Sequence, residues 1–154
     1  PVAYGGGIKS AKEVRGLLAI GIEKVVVNSA AWRDPSLIPE LAAEFGSSTI
    51  VGSIDVRTNW RSKNEVWVAG GTERTRIDPI TWATELERRG VGEIIVNSIN
   101  RDGEMVGYDL ALIASIADSV GVPVVAAGGA SSIAVNCRNL SASRLKKSGS
   151  STTD

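Results

Sequence analysis

The stretch IIVNSINRDGEMVGYD at residues 94–109 decides the fold, because it joins an apolar strand directly to a polar loop. The run from Ile94 to Val96 has the length and the flanks of a strand buried on both faces of a parallel sheet. The polar residues that follow it are Asn97, Ser98, Asn100, Arg101 and Asp102, and Gly103 comes next. Because parallel α/β proteins bind ligands at the carboxyl ends of their strands, this loop is predicted to carry the chemistry.

Apolar runs and amphipathic segments alternate along the rest of the chain, which predicts a parallel sheet with right-handed helical crossovers. Further strands are predicted at residues 1–4, 25–27, 49–56 and 123–127. Helices are predicted to begin near Ser10, Asp34, Asp78 and Asp109. Ser10 and Glu13 form a capping-box pattern, and Pro35 suits the first turn of its helix. Residues 58–76 interrupt the alternation and predict an inserted hairpin, with alternating residues at 65–68.

Two pairs of segments in the chain repeat each other. PVAYGGGIKS at 1–10 matches PVVAAGGASS at 123–132, and GIEKVVVNS at 21–29 matches GVGEIIVNS at 90–98. A half-length repeat of strand–loop–helix units predicts a (β/α)8 barrel, whose usual size is about 250 residues. With 154 residues, the chain is predicted to be an incomplete (β/α)8 TIM barrel. It would hold about five parallel strands alternating with helices.

The end of the chain departs from this repeat. Gly129 should be followed by a helix and then a strand, yet the run after Ile133 is AVNCRNLSASRLKKSGSSTTD, which has no buried-strand pattern. We therefore predict a partial barrel domain at residues 1–133 and a divergent, irregular and disordered tail at residues 134–154. A short helix over residues 133–145 is the alternative.

Composition excludes several classes of function. The chain has 17 Lys and Arg against 17 Asp and Glu, so broad electrostatic binding of nucleic acid or of a membrane surface is not expected. It has no histidine, and Cys137 is its one cysteine. The commonest general base and metal ligand are thereby missing, and no internal disulfide is possible. No run resembles a membrane span or a signal peptide. We predict a cytoplasmic protein without a metal or a cofactor.

Glycines lie between predicted strands and predicted helices at Gly5–Gly7, Gly103 and Gly128–Gly129. Backbone N–H groups in such turns can approach a phosphate closely, and the N-terminus of the following helix favours the anion. Tight turns alone would also explain each group of glycines. Two such turns half a repeat apart predict a ligand with a phosphate at each end, and Asn28 and Ser29 would supply side-chain donors to the first phosphate.

Polar groups at adjacent strand ends are the candidates for proton transfer. In a chain without histidine, the carboxylates of Asp55 and Asp102 are the natural acid/base groups, and Asn100 lies in the same loop as Asp102. The alternatives are structural. Asp55 could cap a loop or pair with Arg57, and Arg-Asp-Gly at residues 101–103 is also ordinary turn chemistry.

Taken together, the motifs resemble a known family. They are YGGGI at 4–8, VVVNSAA at 25–31, SIDV at 53–56, NSINRDGEMVGYD at 97–109 and GGA at 128–130. From Pro1 to about Ile133, the chain resembles the cyclase subunit of imidazole glycerol phosphate synthase. The resemblance implies a (β/α)8-barrel lyase of histidine biosynthesis. In that reaction, ammonia from a glutaminase partner joins a ribulosyl nucleotide carrying two phosphates. The products are imidazole glycerol phosphate and an aminoimidazole carboxamide ribotide.

The resemblance also implies roles for individual residues. Asp55 matches the catalytic aspartate of the second half of the barrel. The residues that match the two phosphate sites are Gly7, Asn28 and Ser29 for one and Gly103, Gly128 and Gly129 for the other. Asn97 and Asp102 match the segment that contacts the substrate.

Three departures from the family leave alternatives open. A chain that starts at Pro1 would lack the barrel's first two strands, including the one with the other catalytic aspartate, and also its eighth strand, so it is predicted to be inactive alone. Asn97 stands where a threonine is usual, and Asn100 where an aspartate is usual. The combination of YGGGI at 4–8 with NSI-x-RDG-x-M-x-GYD at 97–109 also resembles cyclase-like paralogues that work with an amidotransferase to form an amidino group on a nucleotide sugar. A non-catalytic phosphate-binding fragment and a related isomerase barrel are further alternatives.

Overall fold

The computed structural model describes residues 2–104 and 107–128, which form a seven-stranded sheet and the helices packed against it. The strands are β1 (Ala3–Gly5), β2 (Lys24–Val27), β3 (Ile50–Thr58), β4 (Asn64–Val68), β5 (Glu73–Arg74), β6 (Glu93–Ser98) and β7 (Val124–Ala127). The helices are α1 (Ala11–Ala19), α2 (Ser29–Arg33), α3 (Leu37–Phe45), α4 (Pro79–Arg89) and α5 (Leu110–Ser119).

Five of the strands are parallel and adjacent in the order β1, β2, β3, β6 and β7. Helices lie between consecutive parallel strands in the chain, as they do in (β/α)8 barrels. The prediction of about five parallel strands with alternating helices is therefore confirmed, and the described residues form an open sheet. Gly129 and the predicted tail at residues 134–154 lie outside the described residues.

Side-chain caps fix the starts of three helices. Asp78 accepts hydrogen bonds from two backbone N–H groups in the first turn of α4, both at 3.0 Å, and Asp109 accepts one at 3.1 Å in α5. At α1, Ser10 Oγ accepts from the Glu13 N–H at 3.4 Å. Glu13 returns the bond to the Lys9 N–H at 2.7 Å, one residue earlier than a capping box would place it. Each cap satisfies N–H groups that a helix leaves without partners.

The connection between β2 and β3 differs from the prediction in two ways. It contains α2, whose five residues are too few to display a helical period in the sequence. The next helix, α3, starts after Ser36, because the Asp34 carboxylate accepts hydrogen bonds from the Ser36 N–H at 2.9 Å and the Ser36 hydroxyl at 2.6 Å. Pro35 therefore precedes the helix and is not in its first turn.

Strands β2 and β6 alternate between buried and half-buried residues, so they are buried on one face only. In β6, Ile94 and Val96 are buried and cluster with apolar side chains of the helices, whereas Ile95 is half-buried on the other face. In β3, Ile54 and Val56 are buried in the same cluster, and Asp55 points to the opposite face. The prediction of burial on both faces is therefore wrong for β6, since the described helices cover one side of the sheet.

The predicted hairpin between β3 and α4 is present. Strand β4 pairs with β3 in the antiparallel direction, and β5 pairs with β4. Its buried polar group is Glu65, which accepts hydrogen bonds from Arg74 Nη2 at 2.7 Å and from Asn59 Nδ2 at 3.0 Å. The hydrogen bond from Arg74 lowers the pKa of Glu65, against the opposing effect of its burial. The hairpin therefore depends on an ionised carboxylate.

Alanine substitutions at two glycines, Gly92 and Gly16, can test how tightly the chain packs around each of them. A Cβ added at Gly92 would lie 2.7 Å from the carbonyl carbon of Ser47, which is backbone and cannot move aside easily. A Cβ added at Gly16 in α1 would meet no atom within 4 Å. We expect Gly92→Ala to lower the free energy of unfolding by about 1–3 kcal/mol. Gly16→Ala should raise it by about 0.5–1 kcal/mol. Urea denaturation measures both, and equal effects would contradict the packing at Gly92.

The hairpin should be sensitive to acid. The folded pKa of Glu65 lies below its ordinary value of 4.5, so its stabilisation is complete above that pH and is lost as the pH falls through the folded pKa. We expect Glu65→Gln to destabilise the protein most near neutral pH and progressively less below pH 4.5. Urea unfolding at several pH values measures the difference. Glu40→Gln, an exposed change on α3, is the control. A Glu65→Gln effect independent of pH would contradict the ionised pair.

Candidate functional site

The candidate site lies at the carboxyl ends of β2, β3 and β6. The parallel register of β3 and β6 pairs Asp55 with Asn97. Asn28 directly follows β2, the neighbour of β3 on its other side. Because alternate residues of a strand face opposite sides of the sheet, Asp55 and Asn97 project away from the helices. The fold therefore brings three predicted site residues to one place.

Both carboxylate oxygens of Asp55 accept a hydrogen bond from a side-chain amide. Asn28 Nδ2 donates to Oδ2 at 2.9 Å, and Asn97 Nδ2 donates to Oδ1 at 3.1 Å. These two donors come from strand ends on either side of β3, so the carboxylate is held in a fixed orientation. The alternative in which Asp55 pairs with Arg57 is wrong, because the Arg57 guanidinium stacks on Trp67, 4.6 Å from the centre of its ring.

A cavity of about 600 Å³ opens beside Asp55. The predicted site residues in its lining are Gly7, Asn28, Ser29 and Asp55. The cavity also contains two cations that the sequence analysis does not single out, Lys9 and Arg33. Asp34, whose pKa is lowered by hydrogen bonds from Ser36, is the other carboxylate in the lining. Glycine turns, amide groups and two cations make this cavity suited to an anionic ligand.

Ser29 is bound to the hairpin. Its Oγ accepts a hydrogen bond from the Ala69 N–H at 2.8 Å, in the turn between β4 and β5. Ala69, Gly70 and Gly71 all have positive φ angles, and Gly70 lines the cavity. Because the Ala69 N–H occupies one lone pair of the hydroxyl oxygen, the Ser29 O–H remains a donor for another partner. The hairpin is thus one wall of the cavity, which the sequence does not reveal.

Gly128 adjoins the Asp55 cluster through Asn97. It has φ +76°, and a Cβ built on it would lie 2.6 Å from Asn97 Oδ1 and 2.9 Å from the Ser98 carbonyl oxygen. The amide of Asn97 therefore lies between Asp55 and the backbone of Gly128. Gly129, the other predicted phosphate residue of this turn, lies outside the described residues.

Asp102 and Gly103 lie at the same end of the sheet but do not line the cavity that contains Asp55. Both are exposed in a turn after β6, in which the Asp102 N–H donates to the Ser98 carbonyl at 3.1 Å. Asn100 fastens this loop to β3, since its Oδ1 accepts from the Thr58 N–H at 2.8 Å. The turn interpretation of Arg-Asp-Gly thus describes the local geometry, and contact of Asp102 and Gly103 with a substrate stays a prediction.

No group of three or more His, Cys, Asp or Glu side chains in residues 2–104 and 107–128 is placed to bind a metal ion. None of the helices described there is both long enough and apolar enough to cross a membrane.

Parallel βα units with a carboxylate and glycine turns at the carboxyl ends of the strands are the arrangement of (β/α)8-barrel enzymes. A family model described as "Histidine biosynthesis protein" matches residues 1–141 of the chain. The chain therefore belongs to the histidine biosynthesis protein family, which confirms the resemblance seen in its motifs.

Individual relatives agree with this family. The putative imidazole glycerol phosphate synthase subunit hisF2 of Pseudomonas aeruginosa is 48% identical over 134 residues, covering 87% of this chain and 53% of the relative. Imidazole glycerol phosphate synthase subunit HisF of Trichormus variabilis is 46% identical over 143 residues, covering 91% and 54%. HisF of Pyrobaculum aerophilum is 48% identical over 130 residues, covering 84% and 51%. The chain spans about half the length of these relatives.

The contact between Gly128 and Asn97 can be tested with a matched pair of glycines. Both Gly128 and Gly103 have φ near +80°, but a Cβ on Gly103 would meet no atom within 4 Å. We expect Gly103→Ala to lower the free energy of unfolding by about 1 kcal/mol, the strain of a positive φ. Gly128→Ala should cost about 1–3 kcal/mol more, because its Cβ collides with Asn97 and Ser98. Urea denaturation measures both; a smaller loss for Gly128→Ala would contradict the close approach.

Proposed function

We propose that this chain acts within a cyclase subunit of imidazole glycerol phosphate synthase, a lyase of histidine biosynthesis. The substrate is a bis-phosphorylated ribulosyl aminoimidazole carboxamide nucleotide. Ammonia supplied by a glutaminase subunit converts it to imidazole glycerol phosphate and aminoimidazole carboxamide ribotide. The observation that carries the proposal is the shared cavity of Asp55, Gly7 and Asn28 at the carboxyl ends of the strands, in a member of the histidine biosynthesis family. The complex works in the cytoplasm.

The chemistry assigned to this chain is acid/base catalysis beside a phosphate site. Asp55 transfers protons during addition of ammonia and ring closure, and the two amides that bind it, Asn28 and Asn97, keep its oxygens directed at the reacting atoms. Gly7, Asn28 and Ser29 bind one phosphate of the substrate, beside the cations of the cavity.

The other phosphate is assigned to the turns that follow β6 and β7. These turns contain Gly103, Gly128 and Gly129, with Asn97 and Asp102 contacting the substrate between the two phosphates. Backbone N–H groups in glycine turns suit this task because no Cβ blocks the approach of the oxygens. A bis-phosphorylated substrate would then extend across the strand ends, with its reacting centre beside Asp55.

One observation favours a second candidate function. Asn97 places an amide beside Asp55, where the histidine enzymes usually have a threonine. The cyclase-like paralogues, which work with an amidotransferase to form an amidino group on a nucleotide sugar, share this motif. The same fold and the same Asp55 would then serve a larger ligand. A non-catalytic role in phosphate binding is the third candidate.

Ligand binding separates these candidates. We expect the chain to bind imidazole glycerol phosphate, measured by isothermal titration calorimetry, and not a uridine-diphosphate N-acetylhexosamine. Asn28→Ala should weaken binding by about tenfold, the loss of a hydrogen bond to a charged group. Lys12→Ala, an exposed change on α1 outside the cavity, should leave the affinity unchanged. Preference for the nucleotide sugar would contradict the histidine assignment and support the paralogue.

Turnover tests the enzymatic part of the proposal. The chain spans about half the length of its relatives, and within the described residues β1 and β7 each pair with one neighbour, so these strands form an open sheet and not a closed barrel around the site. We therefore expect no ammonia-dependent cyclase activity from the 154 residues alone. Activity that disappears in Asp55→Asn would contradict this expectation and also exclude the non-catalytic candidate.

A further inference from the structure

We infer that Arg33 is an anion-binding residue of the cavity and that Glu73 of the hairpin competes with the bound ligand for it. The inference rests on the proposed function, because it concerns the phosphate site at Gly7 and Asn28. It adds a residue and a control mechanism that the motifs do not contain. The ligand class is a phosphate monoester, and the hairpin responds to its arrival.

The hairpin is joined to α2 by two contacts of different strength. The first is the hydrogen bond from the Ala69 N–H to Ser29 Oγ at 2.8 Å, between half-buried groups. The second is the ion pair of Arg33 Nη2 with Glu73 Oε2 at 3.3 Å, whose side chains are 59% and 52% exposed. A well-exposed pair at this distance contributes little stability and exchanges partners readily. The first contact keeps the hairpin in place while the second opens and closes.

Arg33 is placed to exchange Glu73 for a ligand. It lines the cavity together with Gly7, Asn28 and Lys9, so an anion bound at the glycine turn lies within the same enclosure as the guanidinium. A phosphate accepts two parallel hydrogen bonds from a guanidinium and carries more charge than a carboxylate, so it is the stronger partner. Occupation of the site therefore releases Glu73.

The position of Glu73 connects this exchange to the hairpin. Glu73 lies in β5, opposite Val68 of β4, at the base of the turn whose Gly70 lines the cavity. The rest of the hairpin is anchored elsewhere, by Glu65 with Arg74 and by the pairing of β4 with β3. Release of Glu73 thus frees one side of a short turn and leaves the strands intact.

Titration with inorganic phosphate at low ionic strength, followed by NMR on the full chain, tests the exchange. We expect Arg33→Ala to weaken binding by about five- to tenfold, since a charge-assisted contact is lost. Glu73→Gln should tighten binding by about two- to threefold, because an exposed competitor is removed. In the double variant the effect of Glu73→Gln should vanish, because Glu73 acts through Arg33. Lys12→Ala and Glu40→Gln are the charge-matched controls outside the cavity.

Each of the remaining outcomes would contradict one part of the proposal. Binding unchanged in Arg33→Ala would exclude Arg33 as a ligand. Tightening by Glu73→Gln that persists without Arg33 would exclude competition between them. Binding that depends on Arg33 but is unaffected by Asn28→Ala would keep the anion-binding role of Arg33 and would contradict the phosphate site of the proposed function.

Discussion

The site depends on the register of three parallel strands. Asp55 faces away from the helices because Ile54 and Val56, its neighbours in β3, are buried against them. The pairing of β3 with β6 then sets Asn97 beside Asp55. A slip of one residue in β3 would turn Asp55 into the apolar cluster and expose both neighbours, so the core enforces the position of the carboxylate. The same strand register therefore both buries the apolar side chains and positions the carboxylate of Asp55.

The hairpin adds a second constraint, at the open end of the site. It extends the sheet beside β3, and its turn contacts α2, where the Ala69 N–H donates to Ser29 Oγ. It also contacts the loop after β6, since a Cβ on Gly71 would lie 2.8 Å from Ile99 Cδ1. The hairpin, which follows β3, thereby contacts both the segment after β2 and the loop after β6. Such contacts suit a site built on loops, because its side chains are positioned only as precisely as the surrounding residues hold them.

The sequence predicts those features whose physics is local. The helices, the strands and the site at the carboxyl ends of the strands can be located from the sequence. The signals are periodic apolar residues, the caps Asp78 and Asp109, and the motif that contains Asp55. The bond between Asn28 and Asp55 depends on register across β2 and β3, which no single segment encodes. Arg33 becomes part of the cavity only through α2, a helix too short for a period to appear. Contacts between segments are therefore what sequence reasoning misses.

Asn97 connects the packing at this end of the sheet to the choice between the two catalytic candidates. An asparagine amide can donate to Asp55 while its oxygen occupies the space that a Cβ on the next strand would need, and Gly128 leaves that space free. A threonine hydroxyl has a single proton and two lone pairs, whereas the Asn97 amide has two N–H donors and a separate acceptor oxygen. Asn97 and Gly128 therefore lie in close contact at this end of the sheet. Any account of the substrate must explain why this site uses an amide at the oxygen of Asp55 nearest β6.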